Sequence, residues 1–288
     1  MLVANLVAQV LIVVTGGVVR LTGSGLGCPT WPECAPGSYV PTVEQAEGFH
    51  KLIEFGNRLL TFVVLVMAVA ALVAVWRLRR PGLRIVAALP LVGVVLQAVI
   101  GGITVLTSLH PATVALHFLV SSLIVAVSTL LLLRAGEGDE PPRSLVPPVL
   151  RQMTWVLVAV AAAVLVLGTV VTGSGPHSGD ADQPARFGFD PRVVSWLHAD
   201  LVLLFLGLAV GLYVALRVVA APRRAVRAAA LVLLVTLAQG LVGYVQYATG
   251  LPEVLVIAHM LGACLLVVAV TALVVSVRVR APEGALPA

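Results

Sequence analysis

Eight long apolar runs limit what this chain can become. They fall at roughly residues 2–22, 52–76, 84–106, 112–133, 153–173, 193–216, 226–248 and 254–277. A bilayer's hydrocarbon core is about 30 Å thick, so a helix crosses it with about 20 residues at 1.5 Å per residue. Each run reaches that length. None shows the alternation over about 10 residues that a barrel strand requires. The expected fold is therefore all-α: an integral membrane protein with eight transmembrane helices. Composition agrees, with 60% hydrophobic and 11% charged residues against about 45–50% and about 25% in a soluble domain. Disorder, nucleic-acid binding and a disulfide-rich secreted scaffold are excluded on the same ground. The surface partner is the lipid bilayer.

The basic residues orient the spans. Of 18 Lys and Arg, 13 lie in the loops after spans 2, 4 and 6 or in the tail, from Arg77 to Arg280. Arg20, Lys51, Arg58, Arg186 and Arg192 lie on the other side, with most of the acids. Excess Lys and Arg mark the cytoplasmic side. Both termini are expected inside a cell membrane, and the long loops 23–51 and 174–192 outside. The first span lacks a basic flank and a small-residue cleavage site, so it reads as a helix and not as a cleaved signal.

The two halves repeat. Gln97–His117 aligns without a gap to Gln239–His259 at an offset of 142, placing Gln97 on Gln239, Gly101 on Gly243, Thr107 on Thr249 and His117 on His259. RLTGSG at Arg20–Gly25 echoes VVTGSG at Val170–Gly175. Chance similarity among apolar residues does not explain polar residues kept at one offset. The expected architecture is two four-helix bundles, 1–134 and 153–288, joined by a polar Pro-containing segment at 135–152. Four spans separate the copies, so the repeat is parallel, with its axis along the membrane normal.

Ionisable residues inside spans are costly and mark function. His117, His198 and His259 lie in spans 4, 6 and 8. A lone buried His is often a hydrogen-bonded core residue; three at repeat-related positions favour ligands for haem iron or a transition metal. His198 and His259 suit a bis-imidazole haem in the second half. The first half differs, because an offset of 141 puts Asn57 at the place of His198. His50 and His110 stand seven residues from Asn57 and His117, about 10 Å along a helix, and read as polar residues at the outer interface. Glu54 lies one turn from Asn57 on the same face. It is either a structural partner of Arg58 or a carboxylate aimed into the first-half cavity. Arg20 and Arg58, near the outer boundary, are candidates for carboxylate contacts to haem propionates, or simple anchors.

Cys28 and Cys34 flank the outer-loop sequence CPTWPEC. Outside a cytoplasmic membrane such a pair can stay oxidised. A redox-active disulfide and a structural staple are equally open, and no second ligand pair supports zinc. Cys264, within span 8, reads as a small buried apolar residue.

These segments together resemble haem A synthase. The resemblance rests on GGVVRLTGSGLGCPTWPEC (Gly16–Cys34), HKLIEFGNR (His50–Arg58), Leu116–His117, GTVVTGSGPHSGD (Gly168–Asp180), LHAD (Leu197–Asp200) and Ala258–His259. It extends over roughly residues 10–270. It implies an oxidoreductase that converts haem O to haem A by successive hydroxylations of a ring methyl, giving a formyl group for terminal oxidases. It also implies haem b held by His198 and His259 as axial ligands, a substrate haem on His117, Glu54 as the catalytic carboxylate, and a Cys28–Cys34 disulfide. The implied partners are haem O, haem O synthase and an electron acceptor or donor; a homo-oligomer is left open. One departure stands out. Where the family pattern reads Glu–aromatic–small–His–Arg, this chain has Glu54–Phe55–Gly56–Asn57–Arg58. A bis-His site in the first half is then not expected, and Asn57 or water would face the substrate iron across from His117.

Two other classes compete. A di-haem electron carrier also needs paired imidazoles, but gains nothing from Glu54 beside an incomplete pair. A transporter would spread polar residues over many helices, whereas here they concentrate at the histidines and loop motifs.

Overall fold

The computed structural model describes residues 1–177, 179–180 and 185–280. Its helices are α1 (Leu2–Leu21), α2 (His50–Arg77), α3 (Pro81–Leu106), α4 (Pro111–Arg134), α5 (Pro148–Ser174), α6 (Pro191–Val218), α7 (Arg223–Ala248) and α8 (Glu253–Ser276). All eight are long and apolar enough to cross a membrane. The protein is an all-α integral membrane protein, as its apolar runs indicate. Within the expected outer loop 174–192, Ser178 and residues 181–184 lie outside the described residues. So do residues 281–288 of the expected second unit.

Several helices start earlier than their apolar runs. α5 begins at Pro148 and not near 153, so residues 148–152 of the expected linker are helical. The cause is local. Proline stands in the first turn of α3, α4, α5 and α6, where its missing N–H costs nothing and its fixed φ suits a helix. The polar residues that follow extend the helix beyond its membrane-crossing stretch. Asp190 caps α6 by accepting from Arg192 N at 2.7 Å, and His110 caps α4 by accepting from Ala112 N.

The helices pack as two rings. α1 packs on α2 and α4, and α3 on α2 and α4; in the second ring α5 packs on α6 and α8, and α7 on α6 and α8. Thus α2 stands across from α4, and α6 across from α8. Contacts of α8 with α1 and α4, and of α4 with α5, join the rings. Met260 of α8 seats its thioether on Gly17 of α1, where a Cβ would lie 2.6 Å from the sulfur.

Each face of the molecule carries a clasp. On the face that bears the disulfide loop, Arg20 donates to the carbonyls of His177 (2.6 Å) and Thr172 (3.1 Å). Gly25 N donates to Gly179 O at 3.0 Å, and Ser24 bridges to Asp180. On the opposite, arginine-rich face, β1 (Arg143–Ser144) pairs antiparallel with β2 (Arg278–Val279). Ion pairs Arg80–Asp139 (3.2 Å) and Arg278–Glu137 (3.1 Å) add to it. The segment between the bundles is therefore tied down and includes a short strand, which hydropathy alone does not suggest.

The packed apolar cores lie toward the arginine face. Leu157, Phe205, Leu212, Val232 and Leu273 form the second core, and Ala71, Val75, Leu83, Ala87 and Leu131 the first. The three part-buried histidines His117, His198 and His259 sit in the other half of each ring, nearer the disulfide loop.

Candidate functional site

His198 on α6 and His259 on α8 belong to the two helices that stand across from each other in the second ring. His117 on α4 holds the equivalent place in the first ring, with Asn57 of α2 across from it. Nδ1 of His117, His198 and His259 is buried and makes no hydrogen bond among the described residues, and Oδ1 of Asn57 is likewise without one.

The surroundings of the rings repeat. Gln97 Nε2 donates to His117 O at 2.8 Å, and Gln239 Nε2 to His259 O at 2.8 Å. Gln97 also bonds Ser121 Oγ. The polar matches seen in the sequence are thus the same interhelical bond made twice. Each imidazole also lies against a glycine of the preceding helix. A Cβ on Gly101 would stand 3.3 Å from His117 Cε1, one on Gly168 3.2 Å from His198 Cε1, and one on Gly243 3.5 Å from His259 Cε1. The missing side chain leaves room for the ring. Sequence reading matched Gly101 to Gly243 but did not single out the role of either glycine, nor Gly168.

Among the described residues no group of three or more His, Cys, Asp or Glu converges as a metal site. Imidazoles whose buried Nδ1 makes no hydrogen bond among the described residues, placed singly or as an opposed pair, suit an iron that brings its other four ligands with it. The donor set therefore fits haem.

The disulfide loop roofs the first ring. Cys28 and Cys34 are bonded, at a Cα–Cα distance of 4.3 Å, and both are fully buried. Glu54, only 6% exposed, accepts from Cys28 N at 2.7 Å and from Arg58 Nη2 at 2.7 Å and Nε at 3.1 Å. Arg58 also donates to the carbonyls of Cys28, Thr30 and Glu33. The Glu54–Arg58 ion pair thus exists, and it grips the loop. Both candidate propionate arginines, Arg20 and Arg58, spend their donors on protein acceptors. Trp31 of the same loop lies over Gly102 of α3, where a Cβ would come within 2.8 Å of its Cγ. Gly102 neighbours Gly101, the residue against His117. The sequence signal for this seat was the Gly101–Gly102 pair.

The remaining candidates are structural. His50 Nδ1 lies 2.8 Å from Ser24 Oγ, and His110 is the α4 cap. Cys264 is free and buried, as expected.

Fold and site together define a polytopic membrane protein with two rings of helices, one centred on a pair of imidazoles and the other on a single one under a disulfide-bonded roof. The chain belongs to the COX15-CtaA family, cytochrome oxidase assembly protein, whose family model matches residues 1–177. Relatives named heme A synthase are similar to it. That of Bacillus pumilus is 31% identical over 144 residues, 49% of this chain and 45% of the relative. That of Geobacillus kaustophilus is 35% identical over 137 residues, 46% and 42%. That of Symbiobacterium thermophilum is 32% identical over 182 residues, 60% and 58%. The chain spans about half the length of the curated relatives it matches. The family read from the sequence motifs is the family these comparisons give.

Proposed function

We propose that this protein is a haem A synthase, oxidising a ring methyl of haem O to the formyl of haem A by successive hydroxylations. The observation that carries the reading is the asymmetry between the rings. The second has two opposed imidazoles, His198 and His259. The first has His117 opposed by Asn57, with Glu54 one turn away beneath the disulfide loop.

In this reading the 1–134 unit binds the substrate and the 153–288 unit holds the cofactor. His198 and His259 would hold haem b, which supplies one-electron transfer when bound. His117 would hold the iron of haem O, and Asn57 offers no imidazole from α2. Glu54, held by Cys28 N and Arg58, presents a carboxylate near the reacting methyl. It stabilises positive charge that develops there or accepts the departing proton. Water supplies oxygen, and the electrons leave to an external electron acceptor. The Trp31 roof excludes bulk water from the disulfide-face end. Haem O synthase is the proposed source of substrate.

The arginine-rich face is assigned to the cytoplasm, with both termini, by the excess of Lys and Arg. The disulfide face then lies outside the cell membrane, where a disulfide persists.

Complementation of a strain lacking its own haem A synthase tests this. Wild type should restore haem A, while Glu54→Ala and His117→Ala should not. His198→Ala should insert normally and lose a low-spin haem b spectrum. Normal haem A yield from Glu54→Ala or His117→Ala would refute the assigned roles.

A further inference from the structure

The turns that join α2 to α3 and α6 to α7 lie on the arginine-rich face and share one backbone conformation. Arg79 N donates to Trp76 O and Arg80 N to Val75 O; Ala220 N donates to Arg217 O and Ala221 N to Leu216 O. Arg79 and Ala220 both take a positive φ, 54° and 49°. What fills the two turns differs. In the first, the Asp139 carboxylate accepts from Arg80 Nε and Nη2, each at 3.2 Å. It lies against the first turn of α3, where a Cβ on Gly82 would stand 2.7 Å from its Oδ1.

The second turn gathers charge of one sign. A cavity of about 400 Å³ is lined there by Arg217, Arg223 and Arg227, together with Leu216, Ala221 and Val226. Arg223 and Arg227 are one helical turn apart on α7, a spacing at which like charges repel. Among the described residues none of the three arginines pairs with a carboxylate. Arg217 gives one donor to Tyr213 Oη at 3.2 Å. The cavity sits where two spans end. Along the same helix faces, Val210 and Val214 of α6 and Leu231 and Leu234 of α7 are exposed. Arginine suits phosphate, and basic pockets between spans at a membrane surface suit acidic lipid headgroups.

We propose that this cavity binds the phosphate of an anionic phospholipid, with an acyl chain lying along Val210, Val214, Leu231 and Leu234. The lipid phosphate takes in the second turn the place that Asp139 takes in the first. It neutralises the three arginines and bridges α6 to α7.

Native mass spectrometry of the delipidated protein in detergent, titrated with phosphatidylglycerol, tests this. Wild type should bind one phosphatidylglycerol in preference to phosphatidylcholine, and inorganic phosphate should not displace it. The triple variant Arg217→Gln, Arg223→Gln, Arg227→Gln should weaken binding about tenfold or more. The triple variant Arg77→Gln, Arg79→Gln, Arg151→Gln removes as much charge elsewhere on the same face and should not. Ala221→Glu keeps every arginine and supplies a carboxylate from the protein, so it too should lose the lipid. Unchanged binding in the first triple variant, equal loss in both, equal binding of phosphatidylcholine, or displacement by inorganic phosphate would overturn the proposal. Should the first triple variant not fold, Ala221→Glu carries the test, and unchanged binding there would overturn it as well. Tighter binding by Glu283→Gln would also overturn it, since the seat would then belong to a carboxylate of the tail.

Discussion

The residue that most concentrates chemistry is Glu54, and its partners define what substitution should do. Its carboxylate takes three donors, one from Cys28 N and two from Arg58. Glu54→Gln keeps the shape and an acceptor for Cys28 N but loses the charge. A folded protein with normal haem content should result, while haem A formation falls about 10²-fold or more, the usual worth of a positioned acid or base. The ratio of haem A to haem O in extracts measures this. Arg58→Ala acts differently. It strips two of the three donors from a nearly buried carboxylate and the shared donor from three loop carbonyls. Leaving such a charge unpaired costs about 3 kcal/mol, which should appear as a lower unfolding temperature and faster reduction of Cys28–Cys34. The sequence offered Glu54 in two roles, ion-pair partner or cavity carboxylate. It did not show that the ion pair is also the loop's anchor, because the partners at Cys28, Thr30 and Glu33 lie more than twenty residues away.

At the scale of elements, helix identity was legible and helix ends were not. Hydropathy marks where a span enters lipid, and so places α5 near 153; the helix starts at Pro148 because proline favours a first turn. The repeat was legible through polar residues. Gln97 and Gln239 match in sequence because each bonds the backbone carbonyl of a histidine on the next helix. The glycines against the imidazoles were harder to read, since a glycine in a membrane helix has many uses. The Trp31 seat on Gly102 illustrates the difficulty, since it joins a loop to a helix about 70 residues on. It also gives a prediction. Gly102→Leu leaves no room for the indole, so the loop should lift from α3. Tryptophan emission should shift to the red and Cys28–Cys34 should become more accessible to reductant. Unchanged emission and unchanged reduction would show that Trp31 does not roof the ring.

The whole molecule is two rings fastened at both faces. Arg20 ties the end of α1 to carbonyls at Thr172 and His177, across the repeat boundary. Bonds from a charged donor contribute about 1.5–3 kcal/mol each. Arg20→Ala should therefore insert normally yet unfold several degrees lower in detergent, with its haem content lowered in neither ring at low temperature. The eight spans followed from the apolar runs. The clasps did not, because they pair residues distant in the chain, as Arg143 with Val279 in the strand pair.

These features bear on one proposal: that the second ring keeps a haem and the first transforms one. Extraction and chromatography of the haems from purified wild-type protein, expressed with and without a supply of haem O, test it most directly. The account predicts haem b under both conditions, and haem A only when haem O is supplied. Protein that carries haem b alone in both cases, or no haem at all, would contradict it.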